Sequence, residues 1–163
     1  MKKLLVLTTG GTLDKVYFDA LSEFQVGAPV VGDILTRMNL NISYELIEVC
    51  RKDSLELTDE DRLALKKAIE SSSATKVLIT HGTDTMVKSA QAIGEQADKV
   101  IVFTGAMQPA AFTNTDAVFN IGTAIGALMS PNMPNGAYIA MSGQVYPADK
   151  VQKNYDSRRF EGS

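Results

Sequence analysis

The chain has 163 residues, of which 45% are hydrophobic and 21% are charged, an ordinary globular composition that is sufficient for one well-packed domain. Its formal net charge of −3, from 16 basic and 19 acidic side chains, provides no general attraction to nucleic acid or to anionic membranes. A single cysteine, Cys50, and a single histidine, His81, exclude a disulfide scaffold and a structural zinc site, and they favour a reducing compartment.

The first apolar run, Leu4 to Leu7, follows two lysines, but it is too short for an export signal. No other run approaches the roughly 18 apolar residues that a membrane helix needs. These features predict a cytoplasmic protein.

Short apolar runs rich in β-branched residues alternate along the chain with segments of helical spacing. The runs predict buried strands at Leu4 to Leu7, Tyr44 to Val49, Val77 to Ile79, Val100 to Phe103 and Tyr138 to Met141. The spacing predicts helices from about Thr58 to Ser72, through Met86 to Ala97, and through Ala117 to Leu128. This alternation is typical of an α/β fold, a mainly parallel sheet with helices on both faces, in a single domain.

Two segments have no clear period. Asp14 to Val31 follows a glycine turn, and its pattern fits a mobile loop over a site and an ordinary surface connection equally well. Met141 to Phe160 is polar and lacks a helical stripe, so we expect it to cross back over the sheet edge.

Glycine followed by threonine occurs directly after two predicted strands. Residues 8–12 read Thr-Thr-Gly-Gly-Thr, and residues 80–85 read Thr-His-Gly-Thr-Asp-Thr. Either turn alone is typical of a structural role, because glycine relieves backbone strain and threonine caps helices. At the same edge of a parallel sheet, however, the two turns would present two hydroxyls and exposed backbone N–H groups to one cleft, an arrangement suited to acyl transfer. The spacing does not match a phosphate-binding loop.

A threonine hydroxyl needs a base before it can act as a nucleophile. His81 is the only histidine, and a lone histidine at a strand end is more typical of a hydrogen-bonded structural residue, which argues against a Ser-His-Asp triad. A desolvated lysine is an alternative base, and Asp84, next to Thr83, could position it.

Four motifs resemble those of the bacterial-type L-asparaginases, and together they extend over nearly the whole chain. Two are the glycine turns themselves, Thr9–Thr12 and His81–Thr85. The other two are Gly105–Pro109, similar to the family's G-A-M-R-P, and Asp116–Asn120, similar to its D-G-P-F-N. Members of that family are about twice as long, so the resemblance implies an amino-terminal-type α/β domain over residues 1–163, with no second domain.

The resemblance also implies roles for individual residues. Thr12 would be the nucleophile that attacks the side-chain amide of asparagine, and Thr83 the second catalytic threonine, served by Asp84 and by Lys153 as proton acceptor. Substrate-binding residues would be Gly11, Lys52, Asp53, Ser54, Gly82, Thr83 and Asp84. The family's chemistry requires no metal and no cofactor. Its usual oligomeric state implies a homodimer or homotetramer.

Several positions depart from the family's pattern. Phe24 stands where the family has a tyrosine beside the nucleophile; Tyr17 could supply a phenol, although a ring packed on the surface is the more ordinary role. Residues 51–54, Arg-Lys-Asp-Ser, replace its S-Q-D segment, so a cation there could bind the substrate's α-carboxylate or simply be solvated. Asp116 is expected to cap the helix that follows it.

The sequence leaves other functions open. The pocket could bind asparagine or aspartate without turning it over, or it could act on glutamine, D-asparagine or another small amide. A flavodoxin-like carrier is supported only by the alternating layout. A component of a tRNA-dependent amidotransferase shares these motifs but would carry additional domains.

Overall fold

A computed structural model describes residues 3–163, and a six-stranded sheet with the order β4-β1-β5-β6-β7-β8 lies at its centre. The strands are β1 (Leu4–Gly10), β2 (Lys15–Phe18), β3 (Glu23–Val26), β4 (Tyr44–Lys52), β5 (Lys76–Thr80), β6 (Val100–Thr104), β7 (Gly136–Met141), β8 (Gln144–Pro147), β9 (Val151–Asn154) and β10 (Arg159–Gly162). The helices are α1 (Val31–Arg37), α2 (Asp59–Glu70), α3 (Met86–Ile93) and α4 (Ala117–Met129).

The sheet is mainly parallel, as the sequence predicts. β4, β1, β5, β6 and β7 run in the same direction, and β8 pairs antiparallel with β7 at the edge. The apolar, β-branched sequences of β1, β5 and β6 suit strands that are buried on both faces. The expectation of a buried strand is wrong for β4, whose residues are half-buried or exposed because it lies at the edge of the sheet. All five predicted strands are present, each extended by one to three residues beyond the apolar run.

Helices cover both faces of the sheet. Leu5 and Leu7 of β1 pack in the core formed with α2 and α3, whereas Leu4 and Val6 pack in the core formed with α1 and α4. This alternation follows from the two-residue period of a strand. The predicted α/β architecture with helices on both faces is therefore confirmed. Within residues 3–163, no helix has the length and apolar character needed to cross a membrane.

Helix α2 begins at a capping box. The Thr58 hydroxyl accepts a hydrogen bond from the Asp61 N–H, and the Asp61 carboxylate accepts one from the Thr58 N–H. This reciprocal arrangement satisfies backbone donors that the first turn of a helix leaves free. The predicted helix from Thr58 to Ser72 is confirmed, with its ends at Asp59 and Glu70.

The two segments without a period are hairpins rather than loops. Residues 15–26 form the β2–β3 hairpin outside the main sheet, and α1 follows, which the sequence does not predict. After β7 the chain returns along the edge as β8 and then forms the β9–β10 hairpin, so the expected return over the sheet edge is observed. This second hairpin carries Lys153 back toward the end of β5.

Candidate active site

The candidate site lies at the carboxyl edge of the sheet, where the chain leaves β1, β4, β5 and β6. The turns after β1 and β5 touch at their glycines, since a Cβ atom on Gly11 would overlap the backbone of Gly82. Gly11 also has a φ of 88°, a conformation that residues with side chains rarely adopt. Thr12 and Thr83 each follow one of these glycines, so they lie at the same junction.

Two further segments close around this contact. A Cβ atom on Gly82 would stand 2.6 Å from the Cβ atom of Ser54, which is buried beneath it after β4. The Thr85 hydroxyl donates to the Ser54 carbonyl at 2.7 Å. The backbone of Gly105, after β6, passes so close to the His81 carbonyl that a side chain there would overlap it. Glycine at these positions allows the backbones of four strand ends to meet.

Lys153 connects the second hairpin to the end of β5. Its ammonium nitrogen Nζ lies 2.8 Å from the Thr83 Oγ1 and 2.7 Å from the Asp84 Oδ1. The Lys153 side chain is mostly buried, with 13% of it exposed, and its Nζ lies 4.8 Å from the centre of the Tyr155 ring. The structure thus brings together a hydroxyl, an amine and a carboxylate that the sequence separates by 70 residues.

Thr83 has a second neighbour that the sequence does not indicate. Its Oγ1 lies 3.9 Å from the sulfur of Met107, in the loop after β6. The hydroxyl therefore sits between an amine on one side and a weakly polar sulfur on the other.

The segment after β4 contributes more through its backbone than through its cations. The Lys52 carbonyl accepts the Gly11 N–H at 2.9 Å, but the Lys52 ammonium points to α2 and pairs with Asp61 at 2.8 Å. Arg51 pairs with Glu48 at 2.7 Å, and Asp53 pairs with Lys15 at 2.9 Å. Each of these charged side chains already has a partner, so none presents a free charge to the cleft.

His81 is buried and makes two hydrogen bonds. Its Nδ1 lies 2.7 Å from the Gly82 carbonyl oxygen, and its Nε2 lies 2.7 Å from the Ser89 Oγ. Burial is the main cause that lowers its pKa to about 4, and the Arg62 charge lowers it further. His81 is therefore neutral near pH 7 and serves the structural role that the sequence favours.

Asp14 is a buried acid that sequence reasoning did not single out. It lies two residues after Thr12, its Oδ1 accepts the Val30 N–H at 3.0 Å, and its Oδ2 has no partner among the described residues. Burial raises its pKa to about 7, in spite of the opposing hydrogen bond from Val30. Nothing in the local sequence distinguishes it from an exposed acid at the end of a turn.

Asp116 differs from the sequence expectation. It stands at the N-cap of α4, but its carboxylate makes no capping bond to that helix. It accepts instead from the backbone N–H groups of Met107 and Gln108, at 2.9 and 3.0 Å, and from the side-chain amide of Asn120. The expected cap is therefore wrong, because the carboxylate is already occupied by two adjacent backbone N–H groups of the loop after β6.

The aromatic residues of the first hairpin lie on the surface. The rings of Tyr17 and Phe24 are 5.4 Å apart, and Phe24 lies at the same distance from Phe112. Tyr17 is 52% exposed, which agrees with the surface packing that its sequence position suggests.

The described residues contain no group of three or more histidine, cysteine or acidic side chains that could hold a metal ion. Hydroxyl, amine and carboxylate groups are the chemistry that the site offers.

Comparisons with known proteins show which family the chain resembles. The family model described as "Asparaginase, N-terminal" matches residues 3–161. The glutaminase-asparaginase of Acinetobacter glutaminasificans is 28% identical, over 92% of this chain and 49% of its own length. A glutamyl-tRNA(Gln) amidotransferase chain of Thermoplasma acidophilum is 31% identical, over 76% of this chain and 32% of its own.

Among solved structures, the probable cytoplasmic L-asparaginase of Campylobacter jejuni superposes with a TM-score of 0.85 at 25% identity. The match covers 99% of this chain and 53% of that one. The chain thus spans about half the length, or less, of the relatives that it matches.

Proposed function

The chain belongs to the asparaginase family, whose amino-terminal domain it matches from residue 3 to residue 161, and on that premise we propose that it cleaves the side-chain amide of L-asparagine to aspartate and ammonia. The observation that carries the proposal is the hydrogen-bonded group formed by Thr83, Asp84 and Lys153 beside the Gly11–Gly82 contact. This group places a hydroxyl beside an amine, and a second threonine follows the neighbouring glycine turn. These are the groups that nucleophilic cleavage of an amide requires.

Thr12 is the proposed nucleophile. Its Oγ attacks the amide carbon, the C–N bond breaks, and the hydroxyl proton leaves with the nitrogen as ammonia. The resulting β-aspartyl ester is then hydrolysed by water, which returns the proton to Thr12. No metal or cofactor enters either step.

Proton transfer in this reaction is assigned to Thr83, Lys153 and Asp84. Lys153 is the proposed proton acceptor and acts through Thr83, and the Asp84 carboxylate holds the Lys153 Nζ at 2.7 Å. Asp84 is 30% exposed, so it is also accessible to the α-ammonium group of the substrate.

The backbone N–H groups of Thr12 and Thr83, beside the Gly11–Gly82 contact, are the proposed donors to the developing oxyanion, since the Gly11 N–H already donates to the Lys52 carbonyl. A single donor of this kind is worth about 3 kcal/mol in other amide-cleaving enzymes. Ser54 and Gly82 shape the floor of the site through their close packing. Asp53 and Lys52 are proposed to act through their backbone positions at the end of β4, since their side chains are paired with Lys15 and Asp61.

The direct test is ammonia release by the purified protein from L-asparagine, L-glutamine and D-asparagine. We expect turnover of L-asparagine, and a loss of at least about 1,000-fold in kcat for Thr12→Val and for Thr83→Val. Thr123→Val is the matched control, because its hydroxyl lies on α4 and bonds only to the Phe119 carbonyl. Unchanged rates in the two site variants would overturn the mechanism.

The same assay separates the alternatives. Faster release from L-glutamine or D-asparagine would change the substrate assignment. Aspartate binding by calorimetry, with no turnover of any amide, would identify a silent binding module, an outcome compatible with the missing hydroxyl at Phe24.

We also propose that the chain forms a homodimer or homotetramer and that it acts in the cytoplasm. The oligomer is supported by the exposed aromatic cluster of the first hairpin, and the compartment by the unpaired Cys50. Light scattering tests the first proposal, and cell fractionation tests the second.

A further inference from the structure

Three buried polar side chains form a continuous line from α2 to the turn after β5. The Arg62 Nε donates to the Ser89 Oγ at 3.0 Å, the Ser89 hydroxyl lies 2.7 Å from His81 Nε2, and His81 Nδ1 lies 2.7 Å from the Gly82 carbonyl oxygen. All three side chains are at most 5% exposed. A buried polar line of this kind is stable only if each donor has an acceptor.

The chemistry of the groups fixes the direction of each bond. A carbonyl oxygen can only accept, so His81 must carry its proton on Nδ1. The neutral ring then accepts at Nε2, which makes the Ser89 hydroxyl the donor to it. The Ser89 oxygen remains free to accept from Arg62, whose guanidinium can only donate. Every group is satisfied in one arrangement.

That arrangement determines where the next N–H group points. The Gly82–Thr83 peptide is trans and planar, so its C=O and N–H groups point in opposite directions. Because the Gly82 carbonyl is held toward the buried His81 ring, the Thr83 N–H is directed away from the interior. Among the described residues, no backbone carbonyl accepts a hydrogen bond from this N–H, which leaves it able to donate to a ligand.

We propose that Arg62, Ser89 and His81 form a hydrogen-bond relay that positions the Thr83 N–H group in the candidate site. Arg62 is itself anchored at the start of α2, where it donates to the Leu57 carbonyl at 3.3 Å. Ser89 is fixed by its place in α3. Both are positioning residues, because they act on Thr83 only through His81. The benefit to catalysis rests on the proposed function, but the relay itself does not.

The test uses NMR of the ¹⁵N-labelled protein, in which His81 gives the only histidine signals. We expect the imidazole proton on Nδ1 and no titration above pH 5 in the unmodified protein. Ser89→Ala removes the donor to Nε2, so it should shift both the ring nitrogens and the Thr83 amide, and weaken the response of that amide to added L-aspartate. Ser89→Thr keeps the hydroxyl and should restore these signals.

Thr104→Val is the matched control, because it also removes a buried hydroxyl, one that bonds to the Ala140 carbonyl. The Thr104 carbonyl, which accepts the His81 backbone N–H at 2.9 Å, is kept in this variant. It should leave the His81 and Thr83 signals unchanged. In the ammonia assay, Ser89→Ala should lower kcat by about 10-fold, with KM within about 2-fold, because a misaligned oxyanion donor affects the transition state most.

A proton on Nε2 in the unmodified protein, or Thr83 signals that do not respond to Ser89→Ala, would overturn the relay whatever the enzyme assay gives. If the unmodified protein releases no ammonia from any amide, the proposed function fails, and the imidazole and Thr83 spectra still decide the relay. A kcat unchanged in Ser89→Ala, in an active enzyme, would remove its role in positioning.

Discussion

The ionisation of Asp14, in the turn that carries Thr12, makes the stability of the folded chain depend on pH. Its pKa is about 7 in the folded chain, against 3.8 when it is unperturbed. Between these values the folded state holds a proton that the unfolded state has lost, so stability falls as pH rises toward 7 and is constant above it. Of the charged groups of β4, Glu48 raises the pKa of Asp14 and Arg51 lowers it. The hydrogen bond from the Val30 N–H also lowers this pKa.

We therefore predict that Asp14→Asn abolishes this dependence. Relative to the variant, the unmodified chain should lose roughly 2 to 3 kcal/mol in the free energy of unfolding between pH 5 and pH 7. Urea denaturation at a series of pH values measures the difference. The comparison with the variant is essential, because His81, whose pKa is about 4, acts with the opposite sign below pH 6.5 and partly masks the effect.

Lys52 gives a second residue-level prediction. The hydrogen bond to Asp61 is the main reason why the pKa of Lys52 is raised. The Lys52–Asp61 ion pair is therefore formed without any ligand. If the Lys52 ammonium does not bind the substrate's α-carboxylate, Lys52→Gln should leave KM for L-asparagine within about 2-fold. The substitution then removes only an exposed ion pair with Asp61, and such pairs contribute little to stability. A rise of 10-fold or more, absent from Lys66→Gln on α2, would restore the substrate-binding role.

At the scale of elements, Asp116 connects α4 to the loop that carries Met107. Its carboxylate accepts three hydrogen bonds, two from backbone N–H groups of the loop and one from Asn120. Hydrogen bonds to a charged acceptor contribute about 1.5–3 kcal/mol each.

We expect Asp116→Asn to lower the free energy of unfolding by about 2 kcal/mol, because the neutral amide accepts more weakly and adds a donor without an acceptor. Asp33→Asn, on the exposed side of α1, is the control and should change it by less than about 0.5 kcal/mol. Urea denaturation measures both. Equal effects in the two variants would contradict the anchoring role.

Apart from the edge strand β4, the elements that the sequence predicts are those with buried faces. β1 and β5 are apolar on both faces, and α2 combines a cap with an apolar stripe, so pattern and structure agree. The β2–β3 hairpin has no buried face, hence no period to detect. α1 contains glycine and β-branched residues, which disfavour helices in isolation, and it is held by burial of Val31, Ile34 and Leu35.

The candidate site shows the same division. The glycine turns can be recognised in the sequence because the backbones at Gly11 and Gly82 touch. Such a contact requires glycine, and glycine at a strand end is a local sequence signal. Lys153 could be placed only by resemblance, since the β9–β10 hairpin brings it to Thr83 from 70 residues away. The relay from Arg62 to His81 leaves no local signal at all, because its members belong to separate elements.

At the scale of the whole molecule, the first hairpin exposes an apolar surface next to the candidate site. Its exposed apolar side chains are Val16, Tyr17, Phe18, Leu21 and Phe24, and Phe112 adjoins them. Exposed apolar clusters of this kind are typical of contact surfaces. If the chain is a homodimer or homotetramer, a second copy is expected to cover this aromatic cluster.

Phe24→Ser should then weaken self-association by at least about 10-fold, because burying a phenylalanine contributes about 1.5–3 kcal/mol. Phe119→Ser is the matched control, since Phe119 is 62% exposed on α4 and is not one of the rings of the cluster. Light scattering and sedimentation over a range of concentrations measure the association of both variants. An unmodified chain that stays monomeric at all concentrations, or equal weakening by the two substitutions, would show that the cluster does not join copies of the chain.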